Sequence, residues 1–286
     1  MNPAKRHACF NGQLLPSDEV SIAANDRGFL YGDSLFETIR VHAGQPFLGE
    51  LHLKRLIAGA EVIGLKLPYS GEDLFDQTKK LIEQNREFDC VVRLMVSRGT
   101  GERGYGTTGL ETPTTLITTH PLPDRQTKSI TLVTTSARVA KEDPLAQIKS
   151  GNKLTSVLAK RLAKQSGADD GLILNSDGNV AETSSANIFW IQDGILRTPP
   201  QSDGVLPGTT RHLVIDLATA LGQAPREQSI SSDALKQAEA VFVTSAATGI
   251  RAVGQVDGAA LPGHPLVKQL MAAYESELAK GTSRPS

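Results

Sequence analysis

The sequence is short of the residues that would mark a disulfide scaffold or a metalloprotein. Its 286 residues include two cysteines, Cys9 and Cys90, and six histidines. The two cysteines lie far apart and form no Cys-x-x-Cys motif, and the histidines lack metal-ligand spacing. We therefore expect free thiols in a reducing cytoplasm, and we predict no metal site.

The sequence also lacks an excess of charge of either sign and any long apolar run. The formal net charge is −1, so no basic field is available to attract nucleic acid or an anionic membrane. The apolar stretches fall short of the roughly 18 residues that a membrane-spanning helix requires. The N-terminal residues lack the apolar core of a signal peptide. These absences predict a cytoplasmic globular protein that binds neither nucleic acid nor membrane.

The first part of the chain alternates between strand and helix patterns. Leu53, Leu56, Ala60 and Ile63 repeat with the spacing of a buried helix face. We predict a small α/β domain over residues 1–120. Its elements are strands at 34–41, 91–96 and 113–119 and helices that begin near Glu50 and after an N-cap at Ser70.

The second part of the chain is richer in hairpin signals. Residues 121–127 contain two prolines and no apolar period, which predicts an interdomain linker. Beyond it we predict a larger, strand-rich domain over 128–286, so the fold class is α+β in two domains. Asp-Gly turns at 177–178, 193–194 and 257–258 separate strand-like runs, and helices are predicted at 152–166, 209–221 and 264–279.

Lys149 and Glu182 are the residues with the clearest chemical potential. Lys149 stands in the run Ile148–Asn152, and Glu182 follows 33 residues later. A lysine amine can hold pyridoxal phosphate covalently, and a carboxylate can keep the pyridine nitrogen of that cofactor protonated. Most lysines and glutamates are solvated surface residues. The sequence around Lys149 and Glu182 therefore decides whether the two residues indicate a cofactor site.

Four segments of the chain resemble the class IV (fold-type IV) pyridoxal-phosphate aminotransferase and lyase family. They are residues 25–56, 97–105, 148–190 and 204–211. The resemblance implies a two-domain fold similar to that of D-amino-acid aminotransferases, pyridoxal 5′-phosphate as cofactor and a homodimer. It also implies a small substrate that carries an amino group and a carboxylate. In this family Lys149 would carry the cofactor and later transfer a proton, and Glu182 would face the ring nitrogen.

The run Gly204–Arg211 has the character of an anion site. It ends in a turn that opens a helix, where unpaired backbone N–H groups and the helix dipole favour negative charge. The resemblance implies that this corner and Arg55 bind the cofactor's phosphate. The further cofactor-binding residues that it implies are Gly208, Thr209, Thr210, Asn187, Ser245 and Ala246.

Residues 97–105 contain a formal Gly-x-Gly-x-x-Gly pattern after a predicted strand. A dinucleotide site would require a helix to begin at once, and the following residues Tyr105–Gly109 and Pro113 argue against one. The run resembles instead the pocket loop of aminodeoxychorismate lyases. Arg103 would then bind a substrate carboxylate, for which a guanidinium fork is suited; a purely structural loop arginine is the alternative.

Several other residues are assigned to the substrate pocket by the same resemblance. Tyr105, Tyr31 and Phe29 would line the pocket. Thr38 corresponds to a position that is often threonine in the lyases and glycine or valine in the transaminases. It would supply a hydroxyl near the reacting carbon, although an ordinary strand threonine explains the residue equally well.

Three activities share these cofactor-binding residues, and the residues favour aminodeoxychorismate lyase. Branched-chain aminotransferases usually have a longer lysine motif that ends in a tyrosine, which this chain lacks. D-amino-acid aminotransferases share Arg103 but typically have histidine where Tyr105 stands. Many lyases have asparagine where this chain has Ser245, so a D-amino-acid aminotransferase stays open as the alternative. A branched-chain enzyme and a non-catalytic binding protein are less favoured.

Overall fold

The computed structural model describes residues 6–109, 112–124 and 128–281. The last residues of the predicted linker, 125–127, lie outside the described residues. The chain forms two compact units. The first contains the described residues up to Leu122, together with Ile148–Asn152 and the residues from Leu278; the second contains those of Pro123–Gln147 and Lys153–Glu277.

The first unit is built on an antiparallel six-stranded sheet among the described residues, with the strand order β2-β1-β6-β5-β3-β4. Its strands are β1 His7–Phe10, β2 Gln13–Pro16, β3 Ser34–His42, β4 Gln45–Pro46, β5 Cys90–Ser97 and β6 Thr114–His120. Its helices are α1 Arg27–Tyr31, α2 Gly49–Val62 and α3 Gly71–Asn85.

Local sequence signals explain most of these elements. Leu56 and Ala60 are buried on α2, which confirms the predicted helix face. Ser70 caps α3 as predicted: its hydroxyl accepts from the backbone N–H of Asp73, whose carboxylate accepts in return from the backbone N–H of Ser70. The helix α1 is not among the predicted helices, because five residues are too few to show a helical period.

The segment that carries Lys149 forms backbone hydrogen bonds with β3. The N–H of Phe36 donates to the carbonyl of Lys149 at 2.9 Å, and the N–H of Gly151 donates to the carbonyl of Ser34 at 2.8 Å. A Cβ on Gly151 would collide with the Ser34 hydroxyl, so the close approach depends on glycine. The sequence placed 148–152 in the second domain, whereas these bonds make the segment part of the first unit.

The second unit contains a mixed sheet of nine strands in the described residues. The order is β12-β11-β10-β13-β14-β7-β8-β9, and β15 pairs with β14. Its strands are β7 Ile130–Val139, β8 Asp170–Asn175, β9 Val180–Thr183, β10 Asn187–Gln192, β11 Ile195–Thr198, β12 Arg226–Glu227, β13 Ala240–Ser245, β14 Gly249–Val256 and β15 Ala259–Ala260. Its helices are α4 Leu154–Gln165, α5 Thr209–Ala220, α6 Ser232–Leu235 and α7 Pro265–Lys280, the last of which ends in residues of the first unit.

The predicted Asp-Gly turns connect antiparallel strands. Asp193 and Gly194 both have positive φ, 53° and 66°, between β10 and β11, as a two-residue type I′ hairpin requires. Asp257 and Gly258 join β14 to β15 in the same way, with φ of 48° and 84°. The observed elements confirm the predicted α+β class. Within the described residues, no helix is both long and apolar enough to cross a membrane.

Both cysteines are buried free thiols in the first unit. Burial raises the pKa of Cys9, and burial together with the nearby carboxylates of Glu87 and Asp89 raises the pKa of Cys90 to about 12. A thiol with a raised pKa is a poor nucleophile, so neither cysteine is a candidate catalytic group.

Candidate active site

Lys149 lies against the aromatic ring of Phe36. Its Nζ atom is 4.7 Å from the ring centroid, a distance at which an ammonium group and an aromatic face attract each other. Phe36 and Thr38 are two residues apart on β3 and therefore point to the same face of the sheet. The structure thus brings Lys149 to the face that carries Thr38, the residue predicted to supply a hydroxyl.

Arg55 is paired with a buried glutamate from the neighbouring strand. Its Nε atom donates to Glu37 Oε1 at 2.9 Å, and its Nη2 atom donates to Glu37 Oε2 at 2.6 Å. The Nδ1 atom of His52 lies 2.6 Å from the same Oε2 atom. His52 and Arg55 meet Glu37 together because they are three residues apart on α2 and share one face of that helix.

The protonation states of this group follow from burial and from its partners. Burial alone would raise the pKa of Glu37, but the hydrogen bonds and charges of Arg55 and His52 outweigh that effect and hold the pKa at about 2. Burial lowers the pKa of His52, and the positive charges of Arg55 and Lys149 lower it further against the opposing effect of Glu37. At neutral pH the histidine is therefore neutral and donates its Nδ1 proton to an ionised Glu37.

Arg93 is a candidate that the sequence interpretation missed. It stands directly opposite Thr38 in the pairing of β5 with β3, and its guanidinium carbon is 3.7 Å from the centroid of the Phe36 ring. No described carboxylate lies within ion-pair distance of it, and partial burial lowers its pKa. The available signal was one arginine inside an otherwise apolar strand, Cys90–Ser97.

Arg103 and Tyr105 are exposed on the loop that follows β5. The ring of Tyr105 meets the ring of Tyr31 edge to face at 5.5 Å, and Tyr105 is otherwise 87% exposed. Phe29, on the same short helix as Tyr31, is 77% exposed. Among the described residues, no helix begins between β5 and β6. This agrees with the rejection of a dinucleotide-binding motif after β5.

The position of that loop is fixed at Gly104. The carbonyl of Gly104 accepts from Arg27 Nη1 at 2.8 Å, and its N–H donates to the hydroxyl of Tyr31 at 3.0 Å. Arg27 is in turn held by Asp33, which also pairs with Arg98. Both backbone groups of Gly104 are therefore satisfied, while the flanking side chains of Arg103 and Tyr105 are exposed and the Tyr105 ring contacts the Tyr31 ring.

In the second unit, Glu182 belongs to a network centred on Asn187. The Nδ2 atom of Asn187 donates to the carbonyl of Leu206 at 2.9 Å and to Glu182 Oε2 at 3.4 Å. The N–H of Leu206 donates to the same Glu182 oxygen at 3.4 Å. A Cβ on Gly208 would collide with Asn187 Oδ1, so glycine is required there. The carboxylate of Glu182 is thus oriented by two N–H groups.

The predicted anion corner is the N-terminus of α5. Gly208 is the N-cap residue and has no side chain with which to cap the helix. The buried residues Thr209 and Thr210 form its first turn, which contains no acidic residue. Ser245 ends β13 and Ala246 begins the turn to β14, and the Ser245 hydroxyl is 2.8 Å from the hydroxyl of Thr248.

The donors present in the structure fit pyridoxal phosphate. Lys149 has an amine that can attach the cofactor covalently, Glu182 has an oriented carboxylate suited to a protonated ring nitrogen, and the glycine-capped N-terminus of α5 suits a phosphate. Gly208 leaves the N-terminus of α5 without a capping side chain. A Cβ atom at this position would collide with Asn187, the residue that orients Glu182. No three His, Cys, Asp or Glu side chains in the described part of the chain are arranged to hold a metal ion.

Comparisons with known proteins identify the family. The amino-transferase class IV family model matches residues 34–256. The D-alanine aminotransferase of Bacillus licheniformis is 30% identical over 283 residues, which cover 96% of this chain and 98% of that protein. The structure of 4-amino-4-deoxychorismate lyase from Pseudomonas aeruginosa has a TM-score of 0.85 at 28% identity, covering 95% of this chain and 99% of that chain. The branched-chain aminotransferase of Thermoproteus uzoniensis has a TM-score of 0.91 at 27% identity, covering 96% and 95%.

The chain therefore belongs to the class IV aminotransferase family. It is a pyridoxal-phosphate-dependent enzyme with the two-domain fold of fold type IV, as the resemblance predicted. Its substrates are small molecules. The three relatives carry three different activities, so the particular reaction has to be argued from the residues of this chain.

Proposed function

We propose that this protein is a cytoplasmic 4-amino-4-deoxychorismate lyase that releases 4-aminobenzoate and pyruvate. The observation that carries the proposal is the position of Thr38. Its side chain shares a strand face with Phe36, the ring that Lys149 contacts, and it lies directly opposite Arg93. A hydroxyl and a cation beside the reactive amine suit an elimination in which a carboxylate-bearing group departs.

We assign the binding of the cofactor to nine residues of this chain. Lys149 attaches it covalently, and Glu182 keeps a proton on its ring nitrogen. Arg55 and the first turn of α5, with Thr209 and Thr210, bind the phosphate through a guanidinium and through backbone N–H groups. Gly208, Asn187, Ser245 and Ala246 supply further contacts to the cofactor in this proposal. When bound, the cofactor supplies an electron sink for the carbon that loses its proton.

Lys149 acts as the proton-transfer base in this proposal. Its amine removes the proton from the amino-bearing ring carbon of the substrate, and the neighbouring carbon–oxygen bond then breaks. The departing enolpyruvyl group takes up a proton, which the Thr38 hydroxyl is placed to donate. The ring becomes aromatic, so the two products together contain all the atoms of the substrate.

Two arginines account for the charge of the substrate. Aminodeoxychorismate carries one carboxylate on its ring and another on the enolpyruvyl group. Arg93 is assigned to one of them and Arg103, with the aromatic residues Tyr105, Tyr31 and Phe29, to the other. Guanidinium groups bind carboxylates through paired hydrogen bonds, which fix the orientation of the substrate as well as its affinity.

We also propose that the protein is a homodimer. On α4, Leu154 is 80% exposed and Val157 is 60% exposed, and the two residues lie on one face of that helix. An apolar helix face of this kind suits association with a second copy. Light scattering of the purified protein is expected to give a mass of twice that of the chain; a monomer at micromolar concentration would refute the dimer.

The alternative is a D-amino-acid aminotransferase, favoured by the 30% identity to D-alanine aminotransferase over nearly the whole chain. Purified protein loaded with cofactor is mixed with aminodeoxychorismate in one cuvette and with D-alanine plus 2-oxoglutarate in another. A third cuvette contains L-leucine plus 2-oxoglutarate. Release of 4-aminobenzoate and pyruvate only in the first supports the lyase. Oxo-acid formation in either of the others, with none in the first, replaces it with the corresponding transaminase.

Two variants test the role of Thr38. Thr38→Val keeps the shape of the side chain and removes the hydroxyl, whereas Thr38→Ser keeps the hydroxyl. If the hydroxyl donates the proton, Thr38→Val is expected to lower kcat for 4-aminobenzoate formation by about 10²-fold or more, and Thr38→Ser to lower it far less. Equal rates in the two variants would mean that the hydroxyl does not donate the proton and that Thr38 is an ordinary strand residue.

A further inference from the structure

We propose that Glu37 and His52 are positioning residues that hold the guanidinium of Arg55 in the orientation needed to bind the cofactor's phosphate. The inference rests on the proposed phosphate-binding role of Arg55. Glu37 and His52 have no assigned contact with the cofactor or the substrate and act through Arg55. Both are almost fully buried, with 1% of the His52 side chain and 2% of the Glu37 side chain exposed.

The first argument is the geometry of the Arg55–Glu37 pair. Glu37 accepts from Nε and from Nη2, which are on one edge of the guanidinium plane. A bidentate pair of this kind fixes the rotation of the plane as well as its position. The remaining N–H groups of the guanidinium face away from Glu37, and the Arg55 side chain retains 10% exposure. The arginine is thus held along one edge of its guanidinium plane.

The second argument is the position of the carboxylate in the fold. Leu35, Glu37 and Ile39 alternate on one face of β3, and the two apolar members belong to the core that packs against α2. A charged residue at such a position loses its hydration and costs stability unless its partners compensate. Glu37 is compensated fully, by Arg55 on one side and by His52 on the other.

The third argument concerns His52. As a neutral imidazole it donates through Nδ1 to the carboxylate oxygen that also accepts from Arg55 Nη2. This donation fixes the rotation of the carboxylate group, which in turn fixes the plane of the guanidinium. A second positive charge at 52 would sit beside Arg55 and Lys149, whereas a neutral donor orients the carboxylate without adding charge. The positioning role assigned to His52 rests on its N–H donor at Nδ1.

The opposing interpretation is purely electrostatic, and it predicts an effect of opposite sign. Glu37 cancels the charge of Arg55, so removing its negative charge would strengthen the attraction of the site for a phosphate dianion. If orientation matters more than charge, the same change weakens phosphate binding. The substitution Glu37→Gln keeps the size of the side chain, removes its charge and replaces one of its two acceptor oxygens with an N–H donor. The direction of its effect on phosphate binding separates the two interpretations.

The experiment measures dissociation constants of the cofactor-free protein for pyridoxal phosphate and for pyridoxal, which lacks the phosphate, by equilibrium dialysis. The ratio of the two constants reports the contribution of the phosphate alone. Circular dichroism of each cofactor-free variant verifies that it is folded. Arg55→Lys tests the premise, because it keeps a cation and removes the fork.

We expect Glu37→Gln and His52→Leu each to reduce the pyridoxal-to-pyridoxal-phosphate ratio about tenfold, the effect of losing a hydrogen bond to a charged group. His52→Asn, whose amide N–H stands close to the position of Nδ1, is expected to restore the ratio to within about threefold of wild type. If Glu37→Gln does not fold, the comparison of His52→Leu with His52→Asn decides alone.

Three results would overturn the proposal. A ratio that is unchanged or higher in Glu37→Gln favours the electrostatic interpretation. Equal ratios in His52→Leu and His52→Asn remove the positioning role of the histidine. An unchanged ratio in Arg55→Lys means that phosphate binding does not depend on an oriented guanidinium at position 55, which removes the premise of the proposal. None of these measurements uses the amino substrate, so they stand apart from the lyase assay and from its outcome.

Discussion

Asn187 Oδ1 occupies the space that a Cβ atom on residue 208 would need. The same asparagine donates through Nδ2 to the carbonyl of Leu206 and to the carboxylate of Glu182. A single side chain therefore links the N-cap of α5, assigned to the phosphate, with the carboxylate assigned to the ring nitrogen. The contacts that we assign to the two ends of the cofactor therefore share one buried amide.

Gly208→Ala is expected to displace Asn187 and to disturb both assignments at once. Overpacking of this kind typically costs about 1–3 kcal/mol, and we expect weaker retention of pyridoxal phosphate in dialysis together with a lower Tm of the loaded protein. Gly106→Ala is the matched control, because no atom lies within 4 Å of its Cβ position. A Gly208→Ala protein that retains cofactor like the control would show that Asn187 can move without consequence.

Lys149→Ala is expected to abolish covalent attachment of the cofactor while leaving the fold intact, since only the side chain beyond Cβ is lost. The backbone bonds of Lys149 with β3 do not involve the side chain. Borohydride reduction followed by mass spectrometry should find the cofactor attached to wild type and absent from the variant, and turnover should fall by several orders of magnitude. A modified lysine elsewhere in the variant, or normal turnover, would overturn the assignment.

Much of the fold was predictable because its signals are local. The helical period of Leu56 and Ala60, the capping box of Ser70 and Asp73 and the paired Asp-Gly turns each involve residues within a few positions of one another. The docking of Lys149 on Phe36 joins residues more than a hundred positions apart, and no local pattern encodes it. A domain boundary predicted from the linker alone therefore does not anticipate that Ile148–Asn152 groups with the first compact unit.

The site residues that could be predicted from the sequence are those in segments that resemble the family. Lys149, Glu182 and the Gly208–Thr210 corner were named from motifs, and their assignments remain proposals to be tested. Glu37, His52 and Arg93 were missed, although a signal for Glu37 exists. It occupies an inward position of a strand whose alternate residues Leu35 and Ile39 are apolar, and a charged residue at such a position needs buried partners.

Arg103→Ala is expected to raise KM for carboxylate substrates with little change in the fold, because its side chain is exposed. Loss of a charge-assisted hydrogen bond corresponds to about 1.5–3 kcal/mol. Arg103→Lys keeps the charge without the fork and is expected to give an intermediate KM. Steady-state kinetics of the three proteins decides the question: an unchanged KM in Arg103→Ala would leave the arginine a structural loop residue.

Acid is expected to destabilise the protein in two steps that trace to Glu37 and His52. The folded pKa of His52 lies below its ordinary value of 6.5, so the unfolded chain binds the extra proton first and stability begins to fall as the pH drops through that value. The folded pKa of Glu37 is about 2 against an ordinary value of 4.5. Its contribution, about 3 kcal/mol, is present above pH 4.5 and is lost as the pH falls toward 2.

The loss of stability at the higher pH belongs to His52. A substitution of His52 removes it, while the loss at lower pH that belongs to Glu37 remains. In His52→Asn the site no longer titrates, so the free energy of unfolding, measured by urea denaturation, is expected to change less between pH 7 and 5 than in wild type. His120→Asn, at an exposed position at the end of β6, controls for loss of an ordinary histidine. If both variants follow the wild-type profile, the acid sensitivity in this range has another source, and the neutral state of His52 does not contribute to stability.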